Sequence, residues 1–409
     1  MSVSPIVHAA PLRAASGRIH RITPRRALRA TAAIAAVIGT VMSGCSGTPE
    51  DRATRTSGAT ATIALVPTTT GTSPATENST VTAPTAPSST AGGTTASFAP
   101  PPGTVVPFRT VAADSAVGKR IGLVAPTGSD PFGKAVTESV VAQVKTAGAE
   151  LIRCDPGDDP TLVLDCARRM ATEHVDGWIV VQPGDLGRAL CDIGPKDVPL
   201  IAIAAAPIGC QSADVGADDQ QAGFLIGQEL GQASRSHSGC AHDAFIIVTN
   251  SAAATVSTQR IEGIRAGFVT RCPGPIADEQ ILDAGTQDRA YHAFTTALTA
   301  APDDAEILVA AVNDAAALGV VAAIPDSRAD HITVAAIGAD ERARCGMVAN
   351  PRWIGDAALF PDRYGDVAVP ALLDAIHGQE VLPAMYVQTT FVTARTISDF
   401  YDVRDCPAR

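Results

Sequence analysis

The sequence is poor in basic side chains. Lysine occurs only four times in 409 residues, at Lys119, Lys134, Lys145 and Lys196, and the formal net charge is −11. Proteins that bind nucleic acid neutralise its phosphates with clusters of Lys and Arg, and no such cluster occurs after Arg29. We therefore expect no nucleic-acid partner.

The short motifs of common catalytic and metal sites are also missing. The sequence contains no GxSxG, HExxH, P-loop or GxGxxG pattern and no CxxC pair. Its later histidines stand at scattered positions without metal-site spacing: His174, His237, His242, His292, His331 and His377. The sequence thus predicts neither an enzyme nor a metal site, and we expect no cofactor.

The first 44 residues have the organisation of a secretory signal peptide. Arginines up to Arg29 precede an uncharged run, ATAAIAAVIGTVMSGC, which is too short to span a bilayer comfortably and ends in small residues before Cys45. A short membrane anchor is the alternative. VMSGC resembles a bacterial lipobox, whose cysteine is lipidated and becomes the mature N-terminus. We therefore expect an extracytoplasmic protein anchored to the cell membrane at Cys45, exported by general secretion or, on the weak Arg25-Arg26 signal, by the twin-arginine route.

Residues 45–116 have a composition of their own, rich in threonine, proline and serine. Between Arg55 and Arg109 the only charged side chain is Glu77, and large apolar side chains are too sparse to offset the entropy lost on ordering. The prolines favour extended backbone. This segment is predicted to be a disordered tether that holds the following domain off the membrane.

The remaining cysteines after Cys45 are even in number, which favours disulfides in an oxidising compartment. Eight cysteines allow 105 pairings, and buried free thiols are the alternative. Pairing of neighbours is favoured because each consecutive pair brackets one local connection. The favoured pairs are Cys154 with Cys166, Cys191 with Cys210, Cys240 with Cys272, and Cys345 with Cys406.

The folded part alternates between short apolar runs and amphipathic segments. RIGLVAP, AELIRC, DGWIVVQP and VPLIAIAA are separated by stretches with helical spacing, and the pattern restarts at DAFIIVTN and continues through AEILVAAVND and HITVAAIGAD. Alternation of strand and helix predicts a parallel sheet covered on both faces. Two successive series predict an α/β protein of two doubly wound lobes, with a ligand cleft beyond the carboxyl ends of the strands.

The folded part contains an ordered set of segments over about residues 118–400: SDPFGKAV, DGWIVVQP, VPLIAI, VGADDQQAG, QRIEGIRAGF, VNDAAALG and AAIGAD. In order and spacing this set resembles the type I periplasmic binding proteins, especially their ribose-type sugar-binding branch. The resemblance implies a multi-strand hinge between a first lobe, residues 117–217 and 359–391, and a second lobe, residues 218–358 and 392–409. It also implies a monomeric solute receptor whose partners are a small-molecule ligand and the permease of an ATP-binding-cassette (ABC) importer. The alternative is a cell-envelope sensor or interaction protein with no import role.

The resemblance further implies the positions that contact ligand. The family's Asn-Pro-Phe-Phe after the first strand falls on residues 130–133, where Phe132 keeps one aromatic wall and Gly133 loses the other. Its Asp-Arg pair falls on two alanines, its late glutamine on a leucine and one of its aromatics on a glutamine. The implied ligand-binding residues are Asp130, Phe132, Gln182, Ala204, Ala205, Arg260, Gln287, Asn313, Asp340 and Leu359.

Three of these positions have a plainer interpretation. Arg260 is alternatively an ordinary ion pair on a helix surface, Asp340 a helix N-cap, and Phe132 a side chain packed on the hinge. Loss of the Asp-Arg pair at Ala204 and Ala205 would leave ligand hydroxyls unpaired at about 1–3 kcal/mol each. The sequence therefore predicts a sugar-like or partly apolar polyol whose apolar face lies toward the first lobe. A nucleoside-like or quorum-signal-like compound is the alternative.

Overall fold

The computed structural model describes residues 103–126, 130–157, 159–183, 186–203, 207–404 and 406. The predictions for the signal peptide, for Cys45 and for the tether up to residue 102 lie outside the described residues, as do those for Ala204 and Ala205. The described residues all belong to one unit, Gly93–Arg409.

The first lobe contains a sheet in which every neighbouring pair of strands is parallel. Its order is β1-β12-β6-β5-β4-β2-β3. The strands are β1 (Thr104–Val105), β2 (Arg120–Val124), β3 (Glu150–Cys154), β4 (Gly177–Val181), β5 (Leu200–Ile203), β6 (Ala213–Gly216) and β12 (Ala384–Tyr386).

The second lobe contains a sheet with the order β13-β11-β10-β9-β7-β8. The strand pairs are parallel except that β13 runs antiparallel to β11. The strands are β7 (Ala244–Thr249), β8 (Glu279–Asp283), β9 (Ile307–Ala311), β10 (Ile332–Gly338), β11 (Trp353–Ala358) and β13 (Thr390–Val392).

Helices cover both faces of each sheet, so that central strands are apolar on both sides. In β4, Trp178 and Val180 pack into one core cluster while Ile179 and Val181 pack into another on the opposite face. The two-lobed, doubly wound α/β fold that the alternation predicts is confirmed. The helices are α1 (Pro131–Thr146), α2 (Pro160–Thr172), α3 (Gly187–Ile193), α4 (Asp219–Ser238), α5 (Ala254–Arg271), α6 (Gln287–Ala300), α7 (Asp314–Ala323), α8 (Glu341–Ala349) and α9 (Gly365–Ile376).

Within the described residues, the chain passes between the lobes after β6, after β11 and between β12 and β13. The second of these connections carries Phe360, which adopts a left-handed backbone conformation with φ 49°. The ring of Phe360 contacts Phe108 from the start of the folded part and stacks on Tyr401 from the C-terminal tail, with ring centroids 5.9 and 5.6 Å away. Both ends of the folded chain therefore pack on one hinge connection.

The folded part begins earlier than composition predicts. β1 pairs with β12, and Val106, Phe108 and Val111 pack against the core of the first lobe. The tether boundary predicted at residue 116 is wrong, because residues 104–116 gain sheet hydrogen bonds and apolar contacts that a composition count over the preceding segment does not reveal.

The structure joins four disulfides, in the pairing of neighbours that the sequence favours. Their Cα atoms lie 5.0–5.6 Å apart, within the usual range for a disulfide. The Cys345–Cys406 bond links α8 to the C-terminal tail across 61 residues. The tail buries Ile397 and Tyr401 in the core of the second lobe, and the Cys345–Cys406 bond holds the tail there. We call residues 397–406 the strap.

Helices α4 and α5 approach each other unusually closely, because glycines line their contact. A Cβ atom built at Gly227 would lie 2.1 Å from the carbonyl oxygen of Ile264, and one at Gly263 would lie 2.0 Å from that of Gln220. Real Cβ atoms do not approach other atoms so closely. Gly223, Gly227 and Gly231 recur every four residues, which places them on one face of α4. We call this contact the glycine seam.

Candidate functional site

Polar residues that precede three helices lie at the carboxyl ends of the strands, where parallel sheets bind ligands. Asp130 follows β2 and caps α1, accepting from the backbone N–H groups of Phe132 and Gly133 at 3.3 and 2.9 Å. Asn313 follows β9 and caps α7, and Asp340 follows β10 and caps α8. The capping hydrogen bonds hold these side chains at the edge of each sheet, so the N-cap alternative for Asp340 is confirmed.

The first lobe contributes a small polar group of side chains beside Gly133. A Cβ built at Gly133 would lie 2.9 Å from Oδ2 of Asp130 and 3.3 Å from Oε1 of Gln182. Gln182 itself adopts a left-handed backbone conformation, φ 50°, and its N–H donates to the carbonyl of Ile203 at 2.8 Å. The glycine that stands in place of a second aromatic thus leaves room for a carboxylate and an amide to lie side by side.

Phe132 lies between the two lobes. Its ring meets that of Tyr364 edge to face, with centroids 5.9 Å apart, and it packs against core residues of both lobes. Tyr364 directly follows the hinge connection and is buried. The structure therefore favours the hinge-packing alternative for Phe132, with only its remaining exposed part available to a ligand.

Arg260 on α5 is held by partners within the second lobe. Its Nε and Nη2 atoms lie 2.8 and 2.7 Å from Oδ1 of Asp219, the first residue of α4, and Nη1 donates to the carbonyl of Val312 at 2.6 Å. Both charged side chains are nearly buried, with 13% and 12% of their area exposed. Asp219 was not among the residues that the sequence implied.

The side chains of Gln287 and Asn313 are also engaged. Oε1 of Gln287 accepts from Nη2 of Arg342, an exposed residue in the first turn of α8. The amide of Asn313 donates to the carbonyl of Gly285 at 3.1 Å, and its Oδ1 accepts from the N–H of Ala316 at 2.8 Å. Arg342 is therefore, after Arg260, a second positively charged side chain next to the predicted site residues of this lobe, and the sequence analysis did not predict it. The only indication in the sequence was that Arg342 follows the predicted cap, Asp340, by two residues.

One predicted contact residue does not reach the cleft. Leu359 is 1% exposed and packs with Ile337 and Ala357 in the core of the second lobe. The prediction that it contacts ligand is wrong, because a leucine at this place gains more from burial than from exposure at a polar edge.

The carboxylates of Asp130 and Asp340 belong to opposite lobes and lie close enough for their charges to interact. Burial raises the pKa of Asp340, and the negative charge of Asp130 adds to that rise, while hydrogen bonds from α8 and the charge of Arg342 oppose it. Each lobe thus contributes a carboxylate near the boundary between the lobes, and carboxylates accept hydrogen bonds from donors such as hydroxyl groups.

A second acidic group lies behind Asp340. Asp314 accepts from the backbone N–H groups of Ala339 and Asp340 at 3.1 and 2.8 Å, and Asp356 on β11 lies beside it. Burial, reinforced by the neighbouring carboxylates, raises the pKa of Asp314 well above its ordinary value, and burial raises that of Asp356 to about 7. The pair therefore keeps a proton up to a higher pH than an exposed pair of aspartates would.

This pair makes stability depend on pH. A raised carboxyl pKa means that the folded state binds more protons than the unfolded state between about pH 4 and pH 7, so this contribution stabilises the protein as pH falls through that window. We expect Asp356→Asn to raise the free energy of unfolding at pH 8 and to have a much smaller effect at pH 5. Urea titrations at both pH values measure it, with exposed Asp304→Asn as the control. An effect of Asp356→Asn that is equal at both pH values contradicts the prediction.

Within the described part of the chain, no three His, Cys, Asp or Glu side chains are arranged to hold a metal ion. No helix in the same residues has the length and apolar character needed to cross a bilayer.

Two α/β lobes joined by several crossings, with polar helix caps at the carboxyl ends of their strands, define a two-lobed ligand-binding protein. Residues 121–380 match the periplasmic binding protein domain, and the chain belongs to this family. The predicted family is thereby confirmed. The family is one of solute-binding proteins, not a class of enzymes. No curated protein matches the sequence.

Many solved structures share the fold, at low sequence identity. A periplasmic solute-binding protein of an ABC transporter from Actinobacillus succinogenes, with bound D-allose, is 20% identical with a TM-score of 0.59, covering 69% of this chain and 100% of its own. A solute-binding protein from Mycobacterium smegmatis with bound glycerol is 20% identical (TM-score 0.59; 71% and 99% covered). A carbohydrate transporter solute-binding protein from Agrobacterium radiobacter, in complex with D-arabinose, is 21% identical (TM-score 0.59; 69% and 96% covered).

Proposed function

We propose that this protein is an extracytoplasmic solute-binding lipoprotein that captures a small sugar-like or partly apolar polyol between its lobes for an ABC importer. The observation that carries the proposal is that Asp130 and Asp340 cap helices of opposite lobes and lie close enough for their charges to interact, so that both lobes would offer acceptors to one ligand. Similar structures with bound D-allose, D-arabinose and glycerol support a polyol as the ligand class.

The proposed contact set follows from these positions. Asp130, Gln182 and the exposed part of Phe132 would contact the ligand from the first lobe, and Arg260, Gln287, Asn313 and Asp340 from the second. The apolar face expected at Ala204 and Ala205 rests on the sequence alone, since both residues lie outside the described ones. It remains a prediction.

A thermal-shift screen of the purified protein tests this function. We expect one or more uncharged sugars or polyols to raise the unfolding temperature, because a ligand at 100 times its Kd stabilises the folded state by about 2.7 kcal/mol. Asp340→Ala serves as the site control: it should weaken binding of the hit, although some loss of stability is expected from its missing cap. Absence of any shift across aldoses, ketoses and cyclic polyols would contradict the proposal.

The lipid anchor at Cys45 is a separate part of the proposal, supported by the basic, apolar leader and the VMSGC segment. Mass spectrometry of protein from membrane fractions should find a mature chain that starts at a lipid-modified Cys45, and Cys45→Ala should abolish the modification. A chain that begins at Met1, or cleavage far from Cys45, would show that the anchor assignment is wrong.

A further inference from the structure

Arg260, at the base of the cleft, already forms an ion pair with a side chain of the protein itself. Of the five N–H groups that a guanidinium carries, Nε–H donates to Asp219 and one N–H of Nη1 donates to the carbonyl of Val312, while Nη2 lies 2.7 Å from the same Asp219 oxygen as part of the ion pair. About three N–H groups remain for a ligand. The adjacent carboxylate cancels the positive charge that would otherwise attract an anion.

The ion pair between Arg260 and Asp219 results from the close packing of α4 and α5 along the glycine seam. Asp219 lies four residues before Gly223, and therefore on the face of α4 that meets α5. A Cβ at Gly223 would lie 2.1 Å from the backbone oxygen of Arg260 itself. The two backbones are thus in close contact at the level of Arg260, as they are along the rest of the seam, and the Asp219 carboxylate lies directly against the arginine side chain.

The other charges around the cleft give an anion little to bind. Asp130 and Asp340 add negative charge from both lobes, and the exposed cation Arg342 donates to Gln287. Burial raises the pKa of Tyr364, with the charge of Asp219 adding to the rise and that of Arg260 opposing it, so both charges lie close to the hinge residue that contacts Phe132.

We propose that Asp219 is the positioning and specificity residue of this cleft: it orients Arg260, cancels its charge and so restricts the site to uncharged, hydroxyl-bearing ligands while rejecting their carboxylate counterparts. This inference rests on the proposed function. An arginine without a protein partner forms bidentate hydrogen bonds to carboxylates. Asp219 already contacts Nε and Nη2 of Arg260, which are atoms that a ligand carboxylate would need for such a pair.

Matched pairs of probes test this role by calorimetry: D-galactose with D-galacturonate, D-glucose with D-glucuronate, and D-arabinose with D-arabinonate. We expect the wild type to bind the uncharged member of the best pair at least about tenfold more tightly than the acid. Asp219→Asn keeps the size of the side chain but removes its charge, and should reduce or reverse that preference by about tenfold or more. Asp219→Glu restores the charge and should retain a preference for the uncharged sugar.

A matched control comes from the same helix. Arg265 on α5 forms an ion pair with Glu279 outside the cleft, and Glu279→Gln should leave the preference unchanged. If Asp219→Asn folds and binds with the wild-type preference, or if the wild type binds the acid as tightly as the sugar, the inference is wrong and the proposed function stands. If no member of any pair binds to wild type or variant, the sugar assignment itself fails and the inference falls with it.

Discussion

Replacing both Cys345 and Cys406 with serine is expected to lower the free energy of unfolding by about 4 kcal/mol, because the bond closes a loop of 61 residues and restricts the unfolded chain over that length. The loss should be accompanied by release of the tail. Tyr401 lies under the guanidinium of Arg344, 3.3 Å from Cζ to the ring centroid, and stacks on Phe360. Urea unfolding measures the stability, and digestion with carboxypeptidase measures release of the tail.

The Cys154–Cys166 bond provides the control for that experiment. It spans only 12 residues, between β3 and α2, and its removal is expected to cost about 3 kcal/mol. The double serine variant at Cys154 and Cys166 should also leave the tail resistant to digestion. A larger loss of stability from the short loop than from the long one, or an unchanged tail in the Cys345 and Cys406 variant, would contradict the assigned role of the strap.

Gly227→Ala is expected to destabilise the second lobe by about 3 kcal/mol, the upper part of the range for overpacking. In an ordinary helix the same change stabilises by about 1 kcal/mol, so the seam reverses the sign. The reason is steric: the new methyl group would lie 2.1 Å from the carbonyl oxygen of Ile264, which belongs to backbone and cannot rotate away. Thermal and urea unfolding of the variant measure the effect.

Two neighbouring positions calibrate this result. A Cβ at Gly231 would lie 2.8 Å from the carbonyl oxygen of Phe268, so Gly231→Ala should cost less than Gly227→Ala. Gln232 is exposed on the opposite side of α4, and Gln232→Ala should cost nothing measurable. If Gly227→Ala were as stable as Gln232→Ala, the close approach of α4 and α5 would be disproved. The arrangement of Arg260 against Asp219 would then lose its structural basis.

The strands and caps were predictable because their signals are local. RIGLVAP and DGWIVVQP became β2 and β4, since a strand buried on both faces must be apolar along its whole length. The disulfides were predictable for a related reason: Cys154 and Cys166 bracket a single connection, from β3 to α2. Asp340 could be placed before a helix because a carboxylate there accepts from free backbone N–H groups.

The candidate site was only partly predictable. The implied positions Asp130, Gln182, Arg260 and Asp340 lie at strand ends or on the adjoining helix faces, but the sequence did not show which of their donors and acceptors were already occupied. Phe132 turned toward the hinge, and Leu359 turned into the core. These outcomes depend on which atoms of the other lobe or the tail lie nearby, and apolar periodicity carries no information about that.

The sequence by itself thus predicted the alternation of strands and helices and the pairing of neighbouring cysteines, because each follows from neighbours along the chain. The export leader stays a prediction from the sequence. Only the tertiary structure decided which charges of the cleft are paired with each other. Asp219 and Arg260 are 41 residues apart, and their contact exists because glycines let two helices approach to backbone distance. A charge's partner is set by distance in space, and that distance appears only when the helices pack.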